Sequence, residues 1–505
     1  MTHNGISSLL AGLGQRSQSI TIVSPNTGKP VFELPQFAAA EVAVVVEAAR
    51  AYYPTWAAWP VKQRADVLLR LHDLLLAHET ELLDLLQFET GKARSHAFED
   101  FAGALNSALY YGKTAVKQLR TKRVRGMAPV LIRNVVEHSA IGVIGVVTPW
   151  NYPLALSGLD VLPALAAGNT VVQKIDNQTA LTALYLRKLA IDAGLPEAAW
   201  SIVVGDGAEV GNALTDAVDY VAFTGSTATG RMVAQRAAAR LIGCSLELGG
   251  KNPMIVLPGA DLKKAAGLAL AAATGNSGQL CVSVERLYVP AESHDALVAE
   301  LGEALQKLSV KRSAGFDADL GSLASAAQLT RVTGMLDEAR AAGAIVLGGE
   351  VLSAEGPFVI TPAVVTQVPA TARLDRSEVF GPVLQVYPYA SVAQAVALAN
   401  DTEFGLNASV VGPSRLARSV ASQLLAGSVN INEGFRASFG AMAAPMGGFK
   451  QSGIGRRNGI AGLMRFTEAR SVGEVRFWHL PIHGREYNLL SRAFRVLSRI
   501  KRVLP

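Results

Sequence analysis

The sequence predicts a multi-domain α/β protein, and three observations carry that reading. Residues 141–260 alternate short apolar runs with helical segments, the pattern of a parallel sheet covered by helices. Residues 261–430 repeat the pattern, so a second α/β domain is expected. The chain has 505 residues, half of them apolar and 17% charged, enough for more than one core and too apolar for a disordered protein.

Residues 38–118 read as helices, and Pro60 opens one carrying Val67, Leu68, Leu71, Leu74, Leu75 and Leu82 at helical spacing. Residues 122–138 interrupt the first domain with a turn between two short alternating runs, a hairpin leaving it. The first α/β region then opens on a strand at 141–147. It continues through a strand at 170–173, a helix at 179–193 stopped by Gly194-Leu195-Pro196, strands at 201–204 and 220–223, and a helix from about 229 to 240. In the second region helices are expected at 261–274, 293–308, 325–342 and 392–400, with strands at 286–289 and 344–347. No repeat and no low-complexity segment interrupts the pattern.

Composition excludes several classes. Two cysteines make no disulfide framework, no C-x-x-C occurs, and no built-in metal site is expected. The net charge is +6, but residues 485–505 hold six basic residues against Glu486 alone, so the body is nearly neutral and a nucleic-acid partner is not expected. The first residues, MTHNGISSLLAGLG, have no basic start and only a brief apolar run, so no cleaved signal peptide is expected. Residues 139–159 carry no formal charge, yet Pro149, Asn151 and Pro153 would break a membrane helix; a buried strand running into a loop explains the stretch better. A cytoplasmic protein is expected.

Five places draw attention for chemistry. Cys281 follows Gly275-Asn276-Ser277-Gly278-Gln279-Leu280, which is no core-packing sequence and suits a nucleophile, whereas Cys244 lies among apolar residues as a small core side chain. Glu247 stands between Leu246 and Leu248 at a strand end, where burial raises a carboxyl toward the range of a general base; a turn-capping acid is the alternative. Asn151 sits in Thr148-Pro149-Trp150-Asn151-Tyr152-Pro153, able to donate to an oxyanion or to serve turn geometry. Lys174 ends a strand, where α/β sheets bind ligands and where solvated lysines also sit. Gly225-Ser226-Thr227-Ala228-Thr229-Gly230 opens a helix after a strand and suits a phosphate, but it is neither G-x-G-x-x-G nor a P-loop.

Together these residues resemble the aldehyde dehydrogenase superfamily over roughly residues 20–470. Six motifs stand in the family's order: the one from Thr148, Phe223-Thr224-Gly225-Ser226-Thr227, Glu247-Leu248-Gly249-Gly250-Lys251-Asn252-Pro253, Gly278-Gln279-Leu280-Cys281, Glu378-Val379-Phe380-Gly381-Pro382, and Pro445-Met446-Gly447-Gly448-Phe449-Lys450-Gln451-Ser452-Gly453. The separation of 34 positions from Glu247 to Cys281 matches the family's spacing. More narrowly the chain resembles actinobacterial NADP-dependent succinate-semialdehyde dehydrogenases, through Leu241-Ile242-Gly243, Glu285-Arg286, Asn432-Glu433-Gly434 and the basic tail.

The resemblance implies a Rossmann-like cofactor domain (1–121 and 139–247), an α/β catalytic domain (248–432), a small oligomerisation arm (122–138 and 465–484) and the tail (485–505). It implies that Cys281 attacks an aldehyde, that Asn151 and the Cys281 backbone N–H hold the oxyanion, and that Glu247 activates the water that releases a carboxylic acid. Thr148, Pro149, Trp150, Lys174, Asn177, Gly225, Ser226, Gly230, Leu248, Glu378 and Phe380 would hold NADP or NAD, without a metal. Asn177 stands where NAD-preferring members often carry Glu, so NADP is favoured unless Asp176 turns inward. Tyr152, Leu280, Val282, Phe439 and Met446 would line the substrate pocket.

Succinate semialdehyde is the substrate this resemblance suggests first. The two arginines common in such enzymes are replaced by Gly275 and Leu159, so a medium- or long-chain aliphatic or an aromatic aldehyde is the rival. Arg436 would be either a replacement cation or a solvent-facing loop residue. A CoA-acylating enzyme would lack Glu247, and a non-catalytic scaffold would not keep Cys281, Glu247, Asn151 and Lys174 together. A homodimer or homotetramer is implied. Leu489, Leu490, Ala493, Phe494, Leu497, Ile500, Val503 and Leu504 alternate with Arg492, Arg495, Arg499 and Arg502 as a basic amphipathic helix, fit for an anionic membrane surface, a sister subunit or its own domain.

Overall fold

A computed structural model describes residues 3–126, 132–476 and 483–503. The chain divides into two compact units, residues 1–118 with 140–467, and residues 119–139 with 468–505.

The first unit is built on two large sheets. One has six strands in the order Gly453–Ile454, Gly243–Glu247, Tyr220–Thr224, Val143–Val147, Thr170–Lys174, Trp200–Val203. All neighbours are parallel except the short Gly453–Ile454 edge. Val143, Ile144, Val146, Val171, Val172 and Val221 are fully buried, so these strands are apolar on both faces rather than alternating. In chain order the central strand Val143–Val147 comes first, the next two lie to one side, and the following two to the other. The chain thus reverses its winding between Val143–Val147 and Tyr220–Thr224, and ligands enter open α/β sheets at the crevice beyond such carboxyl ends. Val147 pairs with Phe223, so Thr148 and Thr224 reach that crevice at the same level.

The second sheet runs Ile345–Gly348, Ala363–Thr366, Val383–Tyr389, Val284–Pro290, Asn252–Val256, Asn407–Val411, Ser428–Ile431, parallel except for its first strand. Side chains alternate between two cores. Met254 and Val256 face Leu262–Thr274 and His294–Leu305, while Ile255 and Leu257 face Val392–Asn400 and Ser414–Ala421. Asp261 caps the helix Leu262–Thr274, which delivers the chain to the loop bearing Cys281.

Strand and helix positions agree with the sequence reading to within a few residues in both α/β regions. Three differences have physical causes. The helix expected from Pro60 through Leu82 is two helices, Val61–Ala77 and Glu79–Thr90, because His78 leaves helical geometry (φ −110°, ψ 22°), with Tyr185 Oη 3.1 Å from its Nδ1. The uncharged stretch continues from its loop into the helix Pro153–Ala167, buried all round. It packs closely on Arg94–Gln118 through small residues: a Cβ on Gly103 would lie 2.7 Å from Ala155, and one on Gly158 2.9 Å from Ala104. Strands Gln18–Val23 and Pro30–Gln36 pair as an antiparallel hairpin that the sequence reading did not place; the first of them is exposed at all but one residue. Among the described residues no helix is long and apolar enough to cross a membrane.

The second unit carries a three-stranded sheet in the order Thr467–Val475, Ile132–Ala140, Lys122–Val124. The hairpin read from the sequence pairs Lys122 with Val136 and Val124 with Asn134 in antiparallel register. Arg470 reaches Glu137 at 2.7 Å, and the edge strand Thr467–Val475 is exposed along nearly its whole length. The basic tail forms the helix Gly484–Val503, with Tyr487, Phe494 and Val496 more than half exposed. The hairpin tip at 127–131, residues 477–482 of the expected arm, and Leu504 lie outside the described residues.

Candidate active site

The crevice of the six-stranded sheet opens into a cavity of about 260 Å³. Pro149, Trp150, Asn151, Tyr152, Gly225, Ser226, Glu247, Leu248, Leu280, Cys281, Glu378, Phe380, Phe439 and Met446 line it, so residues far apart in sequence meet at one place.

Cys281 is held by a loop that is pinned at several points. Asn276 and Ser277 take left-handed backbone geometry (φ 51° and 53°), which costs energy and persists only when the surroundings enforce it. Ser277 donates to the Gly321 carbonyl at 3.2 Å, and Gln279 Oε1 accepts the Ala324 N–H at 3.0 Å. Gly278 (φ 72°) lies so close to Gly381 that a Cβ would stand 2.1 Å from its carbonyl. Asn252 Nδ2 donates to the Cys281 carbonyl at 2.7 Å. The thiol is half-buried. Burial pushes it up to about 12, with the neighbouring Glu378 and Glu247 carboxyls adding to the rise. A protonated thiol at neutral pH therefore needs a nearby proton acceptor.

Glu247 can be that acceptor. Its two carboxyl oxygens are buried with no hydrogen-bond partner in the protein. Burial raises it from 4.5 to about 7, against the pull of Arg457 and Arg465. Gly447 leaves room for it, since a Cβ there would sit 3.2 Å from Glu247 Oε1. A carboxyl with free oxygens and a midrange proton affinity, in a cavity shared with a thiol, suits a water-activating base.

Asn151 donates one side-chain N–H to the Gln279 carbonyl at 3.0 Å, which orients the amide and leaves its second N–H. Its backbone carbonyl accepts from Lys92 Nζ at 2.6 Å and from Asn276 Nδ2 at 3.1 Å. Lys92 is wholly buried, paired with Asp100 at 3.0 Å and 4.3 Å above the Tyr152 ring. Sequence reasoning missed this pair, because a lysine after the helix-ending Gly91 reads as solvent-facing.

A second group was also missed. Arg457 lines the cavity and forks onto Asp160 at 2.9 and 2.6 Å, with Thr224 Oγ1 at 2.6 Å; Arg465 also bonds Asp160 and reaches Ser245 at 2.9 Å. Deleting one member of such a buried pair strands the other charge, at about 3–5 kcal/mol. A signal existed: Asp160 is a lone acid between Leu159 and Val161, the same pattern that singled out Glu247.

The remaining expected residues divide. Trp150 and Phe380 meet edge to face at 5.6 Å on the cavity wall. Phe380 has φ 59° and is held by Glu285, which accepts the Val379 and Phe380 N–H groups at 2.8 and 3.1 Å and pairs with Lys251 at 2.6 Å. Glu378 accepts the Gly250 N–H at 3.0 Å, and burial raises it to about 7. Ser226 caps the helix Thr227–Ala239 by accepting the Thr229 N–H, so that helix starts earlier than expected. Gly230 is where Leu248 packs, 2.4 Å from a would-be Cβ. Thr148 and Lys174 are buried beside each other on adjoining strands, the Thr148 N–H donating to the Lys174 carbonyl at 3.0 Å; neither borders the cavity, nor do Gly230 and Asn177. Burial lowers the Lys174 ammonium, against Asp176 and Asp206. Asn177 spends its amide on Gln36 at 3.2 Å and the Gly205 N–H at 3.1 Å, and Asp176 caps the Asn177–Thr179 turn through Gln178.

A dinucleotide fits this crevice on its own geometry. The helix at Ser226 presents N–H groups for a phosphate. Gly225 and Gly249 have no side chain where a Cβ would run into Phe223 and Glu378 at 2.6 Å.

On the other side of Cys281 the wall is apolar: Tyr152, Leu280, Phe439 and Met446, with Leu156 unforeseen. Val282 does not border the cavity but belongs to the same apolar cluster, with Leu406 and Phe435 among its members. Tyr152 and Phe439 meet edge to face at 6.2 Å. Arg436 is neither an open cation nor wholly in solvent, because its Nε bonds Glu99 at 2.7 Å, and Glu99 also accepts the Tyr152 hydroxyl at 3.2 Å. Cys244 is half-buried. Among the described residues no cluster of three or more His, Cys, Asp or Glu is placed to hold a metal. His479 and His483 stand four apart in sequence, but Pro481 separates them and His479 lies outside the described residues.

Comparison with known proteins agrees with this geometry. A Mycolicibacterium smegmatis protein with the provisional name NADP(+) succinate-semialdehyde dehydrogenase is 44% identical over 97% of this chain and 95% of its own length. The crystal structure of a succinate-semialdehyde dehydrogenase from Burkholderia pseudomallei superposes with a TM-score of 0.87 at 34% identity, covering 91% of this chain and 96% of that one. An aldehyde dehydrogenase C variant from Pseudomonas syringae, crystallised with NAD+ and octanal, gives 0.85 at 35% identity over 90% and 93%. The family model described as the aldehyde dehydrogenase family matches residues 13–472, and the chain belongs to that family of NAD(P)-dependent oxidoreductases acting on aldehydes.

Proposed function

We propose that the protein oxidises aldehydes with apolar chains to carboxylic acids, using NADP. The apolar wall beyond Cys281, with Arg436 already neutralised by Glu99, is the observation that carries the substrate class. A substrate carboxylate set against Tyr152, Leu156, Leu280, Phe439 and Met446 would lose its hydration to an apolar wall, which costs several kcal/mol, and Arg436 is already paired with Glu99. Succinate semialdehyde is the second reading, favoured by the names of the M. smegmatis and B. pseudomallei relatives.

In this reading the six-stranded sheet serves the dinucleotide and the seven-stranded sheet carries the nucleophile. Cys281 gives its proton to Glu247, which hands it on to solvent, and the Cys281 sulfur bonds the aldehyde carbon. The oxyanion takes hydrogen bonds from the Asn151 amide and the Cys281 N–H, each such donor contributing about 3 kcal/mol. NADP, when bound, accepts the hydride released from that carbon. Glu247 then removes a proton from water, which attacks the thioester and frees the acid. Lys174 and Glu378 would hold the ribose hydroxyls and Ser226 the pyrophosphate. Asn177 places no charge against a 2′-phosphate, although Asp176 keeps a carboxylate near Lys174.

A panel of aldehydes assayed with each dinucleotide tests both parts. Hexanal or benzaldehyde is expected to exceed succinate semialdehyde in kcat/KM by about tenfold or more; the reverse order establishes the second reading. Asn177→Glu is expected to shift the NADP/NAD preference about tenfold toward NAD. An unchanged ratio removes the argument from Asn177.

We also infer that the exposed edge Thr467–Val475 is covered by a second copy of the chain, since a nine-residue open strand invites pairing. The tail's basic face would meet an anionic membrane surface, at about 1 kcal/mol per basic residue near the bilayer. A chain ending at Tyr487 is expected to keep its activity and its sedimentation coefficient per subunit mass while losing binding to phosphatidylserine vesicles. Unchanged vesicle binding refutes the membrane role, and dissociation to monomers assigns the tail to assembly instead.

A further inference from the structure

We propose that Arg457, clamped by Asp160, is a positioning residue that keeps Glu247 in its ionised, water-activating form. The inference rests on the reading of Glu247 as the base.

The argument begins with a count of buried charge. Two guanidiniums, Arg457 and Arg465, share the single carboxylate of Asp160. Arg457 is 1% exposed and the Asp160 side chain is wholly buried, so water does not screen the surplus. One positive charge is left uncompensated within the cluster, and Glu247 is the nearby carboxyl whose oxygens have no partner. Arg457 and Glu247 border the same cavity as Cys281.

The charged and titratable groups acting on Glu247 come from three elements besides its own. Asp160 lies on the helix Pro153–Ala167. Arg456 and Arg457 lie on the segment after Gly453–Ile454, and Arg465 follows the helix Gly459–Met464. Cys281 feels Glu247 from the nucleophile loop. The arginines favour the ionised carboxyl and Asp160 opposes them. Asp160 therefore has a different job from its sign: it fixes both forks of Arg457 while Thr224 Oγ1 takes a further bond, so the guanidinium cannot swing onto Glu247 and seal its oxygens. A direct ion pair would hold the base ionised but occupy the oxygens that water must reach. A clamped arginine supplies the field without taking the site.

The test is the pH dependence of steady-state turnover, with the pH dependence of Cys281 alkylation by iodoacetamide as a readout independent of turnover. Arg457→Met is expected to move the acid limb of kcat upward by about one unit or more; thiolate alkylation at pH 8 is expected to slow through the lost direct pull of Arg457 on Cys281, so the limb and not the alkylation reports on Glu247. Arg457→Lys, which keeps the charge, is expected to restore most of the limb. Arg465→Gln keeps the Arg457 clamp and is expected to move the limb the same way by less, so it decides the matter if Arg457→Met does not fold. Folded variants with reduced turnover and an unmoved limb would show a purely structural clamp and overturn the proposal. A wild-type enzyme without turnover on any aldehyde would instead refute the base assignment on which it rests.

Discussion

Replacing Cys281 by serine is expected to lower aldehyde-dependent NADPH formation by at least about a thousandfold. The hydroxyl is nearly isosteric, so the loop held by Asn252, Gln279 and Ser277 keeps its contacts. What changes is the nucleophile. The thiol is already pushed up to about 12, and a serine hydroxyl gives its proton up far less readily than any thiol in the same site. A base at about 7 cannot bridge that gap. The check is a steady-state assay beside a thermal melt and stoichiometric labelling with an aldehyde-mimicking electrophile. An unchanged melt, absent labelling and lost turnover are expected together. Serine turnover within tenfold of wild type would remove Cys281 from the chemistry.

Glu247→Gln is expected to separate the two halves of the reaction. Acylation of Cys281 should yield a burst of about one NADPH per site, and the following turnover should fall about 10²–10⁴-fold, because the amide cannot take a proton from water. The burst should also form more slowly, because the amide cannot take the thiol's proton either; an unchanged burst rate would assign that proton to another acceptor. The pH profile carries the sign. Glu247 works as a base only when ionised, and burial raises it to about 7, so wild-type turnover is expected to rise with pH through that value. The glutamine variant should lose that limb. Stability follows the opposite direction. A carboxyl raised from 4.5 to about 7 on folding favours the native state less as pH climbs between those values. The glutamine variant should therefore gain in melting temperature relative to wild type at pH 8 and little at pH 4.

Cys281, Glu247 and Asn151 were legible because each breaks a local rule. A thiol stands among glycine and polar residues, an acid sits between leucines at a strand end, and an amide lies in a proline-bracketed loop. Most strands of the six-stranded sheet were legible because burial on both faces requires continuous apolar runs, whereas in the seven-stranded sheet only those near 286–289 and 344–347 were read. The break at His78 was not, since the leucine spacing runs on past it and one residue's backbone angles interrupt it. Lys92 and Asp100 were not legible because each reads as a surface charge until the other is brought to 3.0 Å.

What the chain alone determines is the chemistry: which atoms can attack, accept protons or carry charge, since these belong to residue types and their neighbours in sequence. Which charges meet is a matter of tertiary structure. Asp160 and Arg457 lie 297 residues apart, and only the packing of Pro153–Ala167 against the closing segment after Ile454 brings them within 2.6 Å beside Glu247. The reason is electrostatic. A carboxylate and a guanidinium left separately in an apolar interior would each cost several kcal/mol, so their burial is tolerable only once the fold has joined them.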